Sequence, residues 1–146
     1  MLTTLIAVAG TLLGVLATGL LQARAQHASR AAASQDARTQ AIAALSCALA
    51  EHRGVMFKRE CARLSGADAA TLTGARAVSH TTRAAVTEPL TTVCILIPAL
   101  AGAARTAAKA CYALRDAADH DTLAALRETA LAAADRLIDD AAHHLG

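Results

Sequence analysis

The chain opens on one long apolar run and then changes to stretches in which apolar residues recur every three or four positions. Residues 2–21 contain no charged side chain. A helix of this length is roughly 30 Å long, which matches the hydrocarbon core of a bilayer. A core helix of a globular protein would normally show a polar stripe over such a length. The pattern predicts an N-terminal transmembrane helix, with the anchor over residues 1–22.

Two alternatives to an anchor stay open for the apolar run. It can be a buried core helix, or it can be a signal peptide, because Ala23-Arg24-Ala25 has the small-x-small form of a cleavage site. Against the signal peptide, no Lys or Arg precedes the run, and the run exceeds the usual apolar region of about 7–15 residues.

The distribution of basic residues predicts an orientation for the anchor. Only the α-amino group precedes the run, whereas Arg24, Arg30 and Arg38 follow it. The positive-inside rule then places the N-terminus outside and residues 22–146 in the cytoplasm, as a single-pass protein of the cell membrane. Arg24 and Arg30 are the membrane-proximal basic residues, placed to meet lipid phosphates.

A stripe of small residues follows one face of the apolar run. Close approach of two backbones along such a stripe drives helix association in lipid. The pattern predicts a homo-oligomer, although an alanine-rich chain also places small residues on many faces. The residues of this predicted helix–helix interface are Thr3, Ala7, Gly10, Gly14 and Ala17.

Beyond the anchor the pattern predicts a helical stalk over residues 23–40 and a domain over residues 41–146. The stalk is polar and contains no Gly or Pro, so the first helix is predicted to continue into it without a break. The domain begins on an amphipathic stripe that ends before SGAD at 65–68, where Ser65 and Asp68 are alternative N-caps. The stripe residues are Ile42, Leu45, Leu49 and Met56, with His52 among them.

The sequence pattern in the rest of the domain predicts further helices. A second helix is expected from about Ala69 toward Glu88, and Pro89 and Pro98 then bracket LTTVCILI. That segment is predicted as a buried helix, with a membrane-touching segment as the alternative. A third helix follows Pro98, and a last one begins after Asp121. The apolar face of the last helix is predicted to contain Leu123, Leu126, Ala130, Ala133 and Leu137.

Composition agrees with an all-α fold, a small antiparallel helical bundle. The chain contains 41 alanines, one Phe, one Tyr and no Trp, and alanine favours helices over strands. Residues 24–65 carry seven Lys and Arg against three acids, and residues 66–146 carry seven against nine. This asymmetry is too small to support nucleic-acid binding. The four cysteines show no CxxC spacing and are expected to be reduced, buried hydrophobes.

No stretch of the chain carries a recognisable chemistry. Arg53, Lys58, Arg59 and Arg63 do not form one stripe and are interpreted as a solvated face, with weak contact to nucleic acid or a partner as the alternative. His80 and Arg83, with Glu88, are interpreted in the same way. His143 and His144 follow two aspartates at i, i+4 spacing, but they supply too few ligands for a metal site. Phosphate-loop, GxSxG and HExxH patterns are absent. We therefore expect no enzyme, no catalytic residue, no metal and no cofactor.

Two segments carry a resemblance to a known family. SHTTRAAVTEPL and the continuation through YALR to RLIDDAA, with the opening GTLLGVLATGLLQARA, resemble the KilB-like small single-span proteins of actinomycetes. The similarity covers most of the chain, and TTRAAVTEPL and YALR are its clearest parts. The resemblance implies a membrane-associated accessory in conjugative plasmid spread or DNA transfer, with proteins of the transfer machinery as possible partners. It carries over no binding residue.

Three functional hypotheses follow. The first is a non-enzymatic, membrane-anchored helical protein that self-associates and has membrane lipid as a partner. The second is a membrane-tethered regulatory or protein-interaction module. The third is a secreted helical protein, which requires cleavage near Ala25.

Overall fold

The chain is helical wherever its structure is described. A computed structural model describes residues 2–145, and for residues 2–21 and 23 it describes the backbone alone. Four helices follow one another: α1 (Leu2–Leu64), α2 (Ala69–Leu96), α3 (Ala101–Tyr112) and α4 (His120–Leu145). A 3-10 turn, Pro98–Leu100, lies between α2 and α3. No strand occurs within residues 2–145, which confirms the all-α prediction.

The chain forms two compact units, Met1–Ala37 and Arg38–Gly146. The first unit consists of the N-terminal part of α1, and its described side chains, at 22 and 24–37, are all exposed. The second unit contains the end of α1 and all the other elements. The predicted division into residues 1–22, 23–40 and 41–146 stays a prediction.

The membrane topology is a correction to the sequence analysis. No helix in the described part of the chain is both long enough and apolar enough to cross a bilayer. The predicted single-pass localisation, with the N-terminus outside and the domain in the cytoplasm, is therefore wrong. The uncharged run opens a helix of 63 residues, and the described side chains of that helix from 24 to 40 are exposed and include Arg24 and Arg30.

The side chains of the predicted oligomer stripe lie outside the residues whose side chains the structure describes. These are Thr3, Ala7, Gly10, Gly14 and Ala17. Their role in helix contact stays a prediction.

The turn between α1 and α2 is explained by its residues. The amide of Gly66 donates to the carbonyl of Arg63 at 3.2 Å, and the amide of Ala67 donates to the carbonyl of Ala62 at 3.0 Å. These two bonds form a Schellman motif, which requires a left-handed residue, and Gly66 has φ +72°. The Asp68 carboxylate then accepts from the amide of Thr71 at 2.7 Å. Asp68 is thus the N-cap of α2, one of the two alternatives that the sequence predicts.

Helix α2 continues eight residues beyond the predicted end at Glu88. Pro89 lies inside it, and LTTVCILI forms its last turns instead of a separate buried helix. Val93 and Ile97 are buried, but the Ile95 side chain is 69% exposed. Helix α4 also differs at its start, because Asp119 rather than Asp121 accepts from the amide of Thr122, at 2.7 Å.

The core of the second unit is made by one face of each helix. The predicted stripe Ile42, Leu45, Leu49 and Met56 of α1 is buried, as expected. On α4 the predicted face is confirmed, with Leu126 half-buried at its edge. Helix α3 contacts α2 and α4, and it does so with small side chains that allow close packing. The buried residues of α3 are Ala104, Ala107, Ala108 and Cys111.

The C-terminal part of α1 contacts the three other helices. Its Leu49 carbonyl lies 3.8 Å from the Cys111 thiol of α3. The Arg127 guanidinium of α4 lies 4.7 Å above the Phe57 ring. Helices α1 and α2 run antiparallel, since His52 meets Thr82 and Arg59 meets Ser79.

The cysteines are partly as expected. All four thiols are free. Only Cys111 is buried, and Cys47 is exposed, so the expectation of four buried cysteines is wrong. Cys47 lies two positions beyond the buried Leu45 and therefore faces away from the core.

Candidate anion-binding site

The buried stripe of α1 changes from apolar to polar toward its C-terminal end. Leu45 and Leu49 are followed at helical spacing by His52, Met56 and Glu60, all buried. Helix α2 meets this end with two more buried polar residues, Ser79 and Thr82. Buried polar groups need hydrogen-bond partners, and the partners of these residues connect α1 to α2.

His52 joins α1 to α2 and α3. Its Nδ1 lies 2.9 Å from the Thr82 hydroxyl, and that hydroxyl donates its one proton to the Ser79 carbonyl at 3.3 Å. His52 Nδ1–H is therefore the donor to Thr82. Burial, and secondly the positive charge of Arg83, lowers the pKa of His52, so its neutral form is favoured.

Tyr112 of α3 completes this contact. Its ring meets the His52 ring edge to face, with centroids 5.4 Å apart and planes at 72°. The Arg83 guanidinium stacks on the Tyr112 ring at 4.2 Å. Burial raises the pKa of the Tyr112 phenol. Arg83 is thus held in position by a cation–π contact rather than by an acid.

Glu60 is a fully buried carboxylate with arginines on both sides. Arg63 Nε donates to Oε2 at 2.6 Å, and Arg59 Nε lies 3.5 Å from Oε1. Arg63 also donates to the carbonyl of Ala117 in the turn before α4. Arg59 reaches further and donates to the Ser79 hydroxyl at 3.3 Å. Glu60 therefore anchors two arginines, of which Arg59 faces the adjoining cavity.

The arginine pocket is a cavity of about 350 Å³ between α1, α2 and the end of α3. Four guanidinium groups and two imidazoles line it, and Asp116 is its only acid. Asp116 is paired with Arg115 at 3.2 Å. The Arg76 guanidinium has no hydrogen-bond or ion-pair partner within residues 22–145. The lining residues are His52, Met56, Arg59, Arg76, Ser79, His80, Arg83, Tyr112, Arg115 and Asp116.

This arrangement is suited to binding an anion. Guanidinium groups from separate elements offer forked donors and positive charge at one place. A metal site has no support, because the described residues contain no group of three or more His, Cys, Asp and Glu that could hold an ion.

Most of this pocket is not predicted from the sequence. There Arg59, His80 and Arg83 are interpreted as solvated side chains, but the structure brings the three together around one cavity. The signal was the spacing of Arg76, His80 and Arg83, which places them on one face of α2. The predicted basic residues Arg24 and Arg30 are exposed and do not line this pocket.

The comparisons with known proteins agree on one family. The family described as KilB plasmid transfer protein matches residues 39–145. The chain belongs to this family. Its match begins close to the start of the second unit and includes every residue of the arginine pocket. The KilB family is not known as an enzyme family.

A curated relative is similar over its full length. Protein KilB of Streptomyces lividans is 52% identical over 146 residues, which cover 100% of this chain and 99% of that protein. No solved structure matches the chain. The resemblance seen in the sequence is therefore confirmed, and the family supports a role related to plasmid transfer.

Proposed function

We propose that this protein is a non-enzymatic accessory of conjugative plasmid spread that acts by binding, with the arginine pocket as its binding site. One observation carries the proposal. The arginine pocket lies wholly within the part of the chain that the plasmid transfer family matches. Possible partners are proteins of the transfer machinery or a molecule that they carry or release.

The side chains of the pocket favour binding over catalysis. The Ser79 hydroxyl donates to the Arg76 carbonyl at 2.8 Å, so it is not activated by a base. His52 uses Nδ1 for Thr82, and the raised pKa of Tyr112 keeps its phenol protonated. Nucleophilic catalysis needs a nucleophile hydrogen-bonded to a base, and the pocket offers no such pair.

Self-association belongs to the proposal, but the α1 stripe of the second unit cannot mediate it. Ile42, Leu45, Leu49 and Met56 are buried within the chain's own core. A second copy would have to use the small-residue stripe of the N-terminal run, or exposed apolar side chains such as Val78, Ile95 and Ile138.

A transfer assay tests the proposed function. A plasmid carrying Arg76→Ala and Arg83→Ala is expected to spread into recipients as poorly as one lacking the gene, because the anion site has lost two charges. The frequency of recipients that acquire the plasmid is the measurement. Arg105→Ala with Arg136→Ala is the matched control, since both arginines are exposed and lie outside the pocket.

Two results would contradict the proposal. Normal spread of the gene deletion would remove the transfer role. Normal spread of a correctly folded pocket variant, with loss only in the deletion, would favour a protein-interaction module that uses another surface.

A further inference from the structure

We propose that the arginine pocket binds the diphosphate group of a small soluble molecule. This inference rests on the proposed function in that it names the ligand of the same site. It is argued from the charge, the shape and the internal contacts of the pocket.

The charge of the pocket is not balanced by the protein. Four arginines face one acid, and that acid is already paired with Arg115. The nearby Glu60 is shared between Arg59 and Arg63, so it does not neutralise Arg76 or Arg83. Like charges held around one cavity repel each other, and a multivalent anion relieves that repulsion.

The guanidinium groups come from three directions. Arg59 is on α1, Arg76 and Arg83 are on α2, and Arg115 follows α3. Convergence on a cavity suits a compact oxyanion, whereas a duplex requires basic residues spread along a surface. The exposed face of α4 is acidic instead, with Asp121, Glu128, Asp135, Asp139 and Asp140.

The size of the cavity limits the ligand further. About 350 Å³ is at the lower end of the range of roughly 300–1,000 Å³ for small-molecule sites. It admits a diphosphate with part of its carrier but no folded partner. A peptide carboxylate brings one charge for each side chain, while a diphosphate concentrates several charges on oxygens that can each accept from an arginine.

Three of the four guanidinium groups are already oriented. Arg83 stacks on Tyr112, Arg59 donates to Ser79, and Arg115 pairs with Asp116. Such preorganisation lowers the entropy cost of binding. Asp116 itself has φ +60°, a left-handed conformation that non-glycine residues adopt mainly when they are Asn or Asp. Arg76 lines the same cavity and has no partner within the described side chains, so its guanidinium is available to an anion.

Isothermal titration calorimetry of the full-length protein at low salt tests the inference. Inorganic diphosphate and ADP are expected to bind with one molecule per chain, and adenosine is expected not to bind. Arg76→Ala should weaken binding by about 10- to 100-fold, from the loss of one charge-assisted contact. Arg76→Lys should recover part of the affinity, and Arg105→Ala should bind as the wild type does.

The controls separate this ligand from others. Arg76 has no partner among residues 22–145, so its removal should leave the fold intact, and circular dichroism of each variant verifies this. Absence of diphosphate binding, or equal binding by Arg76→Ala, overturns the inference. So does binding of polyglutamate or duplex DNA that diphosphate fails to displace. Loss of plasmid spread in the Arg76 variant without diphosphate binding would retain the proposed function and reject the ligand.

Discussion

At the scale of single residues, Glu60 is a buried acid that contacts two arginines of its own helix. Its carboxylate is fully buried, and the flanking Arg63 and Arg59 compensate for the lost contact with water. Oε1 has an arginine at 3.5 Å but no hydrogen bond of good geometry within the described residues. The pair with Arg63 therefore provides most of the compensation.

Removal of Arg63 should be costly and should be repaired by removal of Glu60. Arg63→Met is expected to lower the free energy of unfolding by about 2–3 kcal/mol, below the usual loss for a broken buried pair because the Arg63 side chain is 35% exposed. The double variant Glu60→Leu with Arg63→Met should recover most of the loss. Urea unfolding is measured for the wild type, the single variants Arg63→Met and Glu60→Leu, and the double variant. A double variant with the summed loss of both single changes would show that the pair is not coupled.

The sequence predicts the apolar part of the buried α1 stripe but not the polar end of that stripe, to which Glu60 belongs. Ile42, Leu45, Leu49 and Met56 follow helical spacing, and the structure buries them. Glu60 continues the same spacing, but a carboxylate is almost never fully buried unless it is paired. Its partner Arg63 also donates to the carbonyl of Ala117. That carbonyl lies near Arg63 only in the folded chain, so the sequence does not show this contact.

At the scale of elements, helix boundaries were predictable where a cap fixes them. Asp68 is both the predicted and the observed cap of α2. The predicted end of α2 at Glu88 is wrong, because Pro89 lies inside the helix and does not end it. A proline removes one hydrogen bond, and here Val86 and Val93 on either side of it stay buried in the core. Packing therefore outweighs the local preference.

The contact of α1 with α2 and α3 should respond to pH through His52. The pKa of His52 in the folded protein is lowered by burial and by Arg83. Below the ordinary value of 6.5, the unfolded chain is therefore protonated at this histidine to a greater extent than the folded protein. The free energy of unfolding should thus fall as the pH decreases from 7.5 to 5.5. His52→Gln can still bond to Thr82 but does not titrate.

Urea unfolding at pH 7.5, 6.5 and 5.5 compares the two proteins. We expect a weaker pH dependence in His52→Gln, since the other five histidines remain in both proteins and contribute equally. If the free energy of unfolding changed equally with pH in both proteins, His52 would take up its proton as readily in the folded state as in the unfolded one.

At the scale of the whole molecule, the all-helical class and the family could be predicted, and the topology and the binding site could not. The family followed from segments such as TTRAAVTEPL and YALR, which the family match includes. The membrane prediction relies on the uncharged run, but no helix in the described part of the chain is both long enough and apolar enough to cross a bilayer. The binding site could not be predicted because its arginines are divided along the sequence between the basic segment 24–65 and the mildly acidic segment 66–146. Folding brings Arg59 of one half to Arg76 and Arg115 of the other.

An NMR titration of the isotope-labelled, full-length protein with inorganic diphosphate tests most directly whether the arginine pocket is the binding site. The largest shifts are expected in three segments that meet only in the folded structure: residues 52–59 of α1, residues 76–83 of α2 and residues 112–116 after α3. The outer face of α4 should not respond. Shifts confined to residues 24–38, or spread evenly over all exposed arginines, would contradict this site.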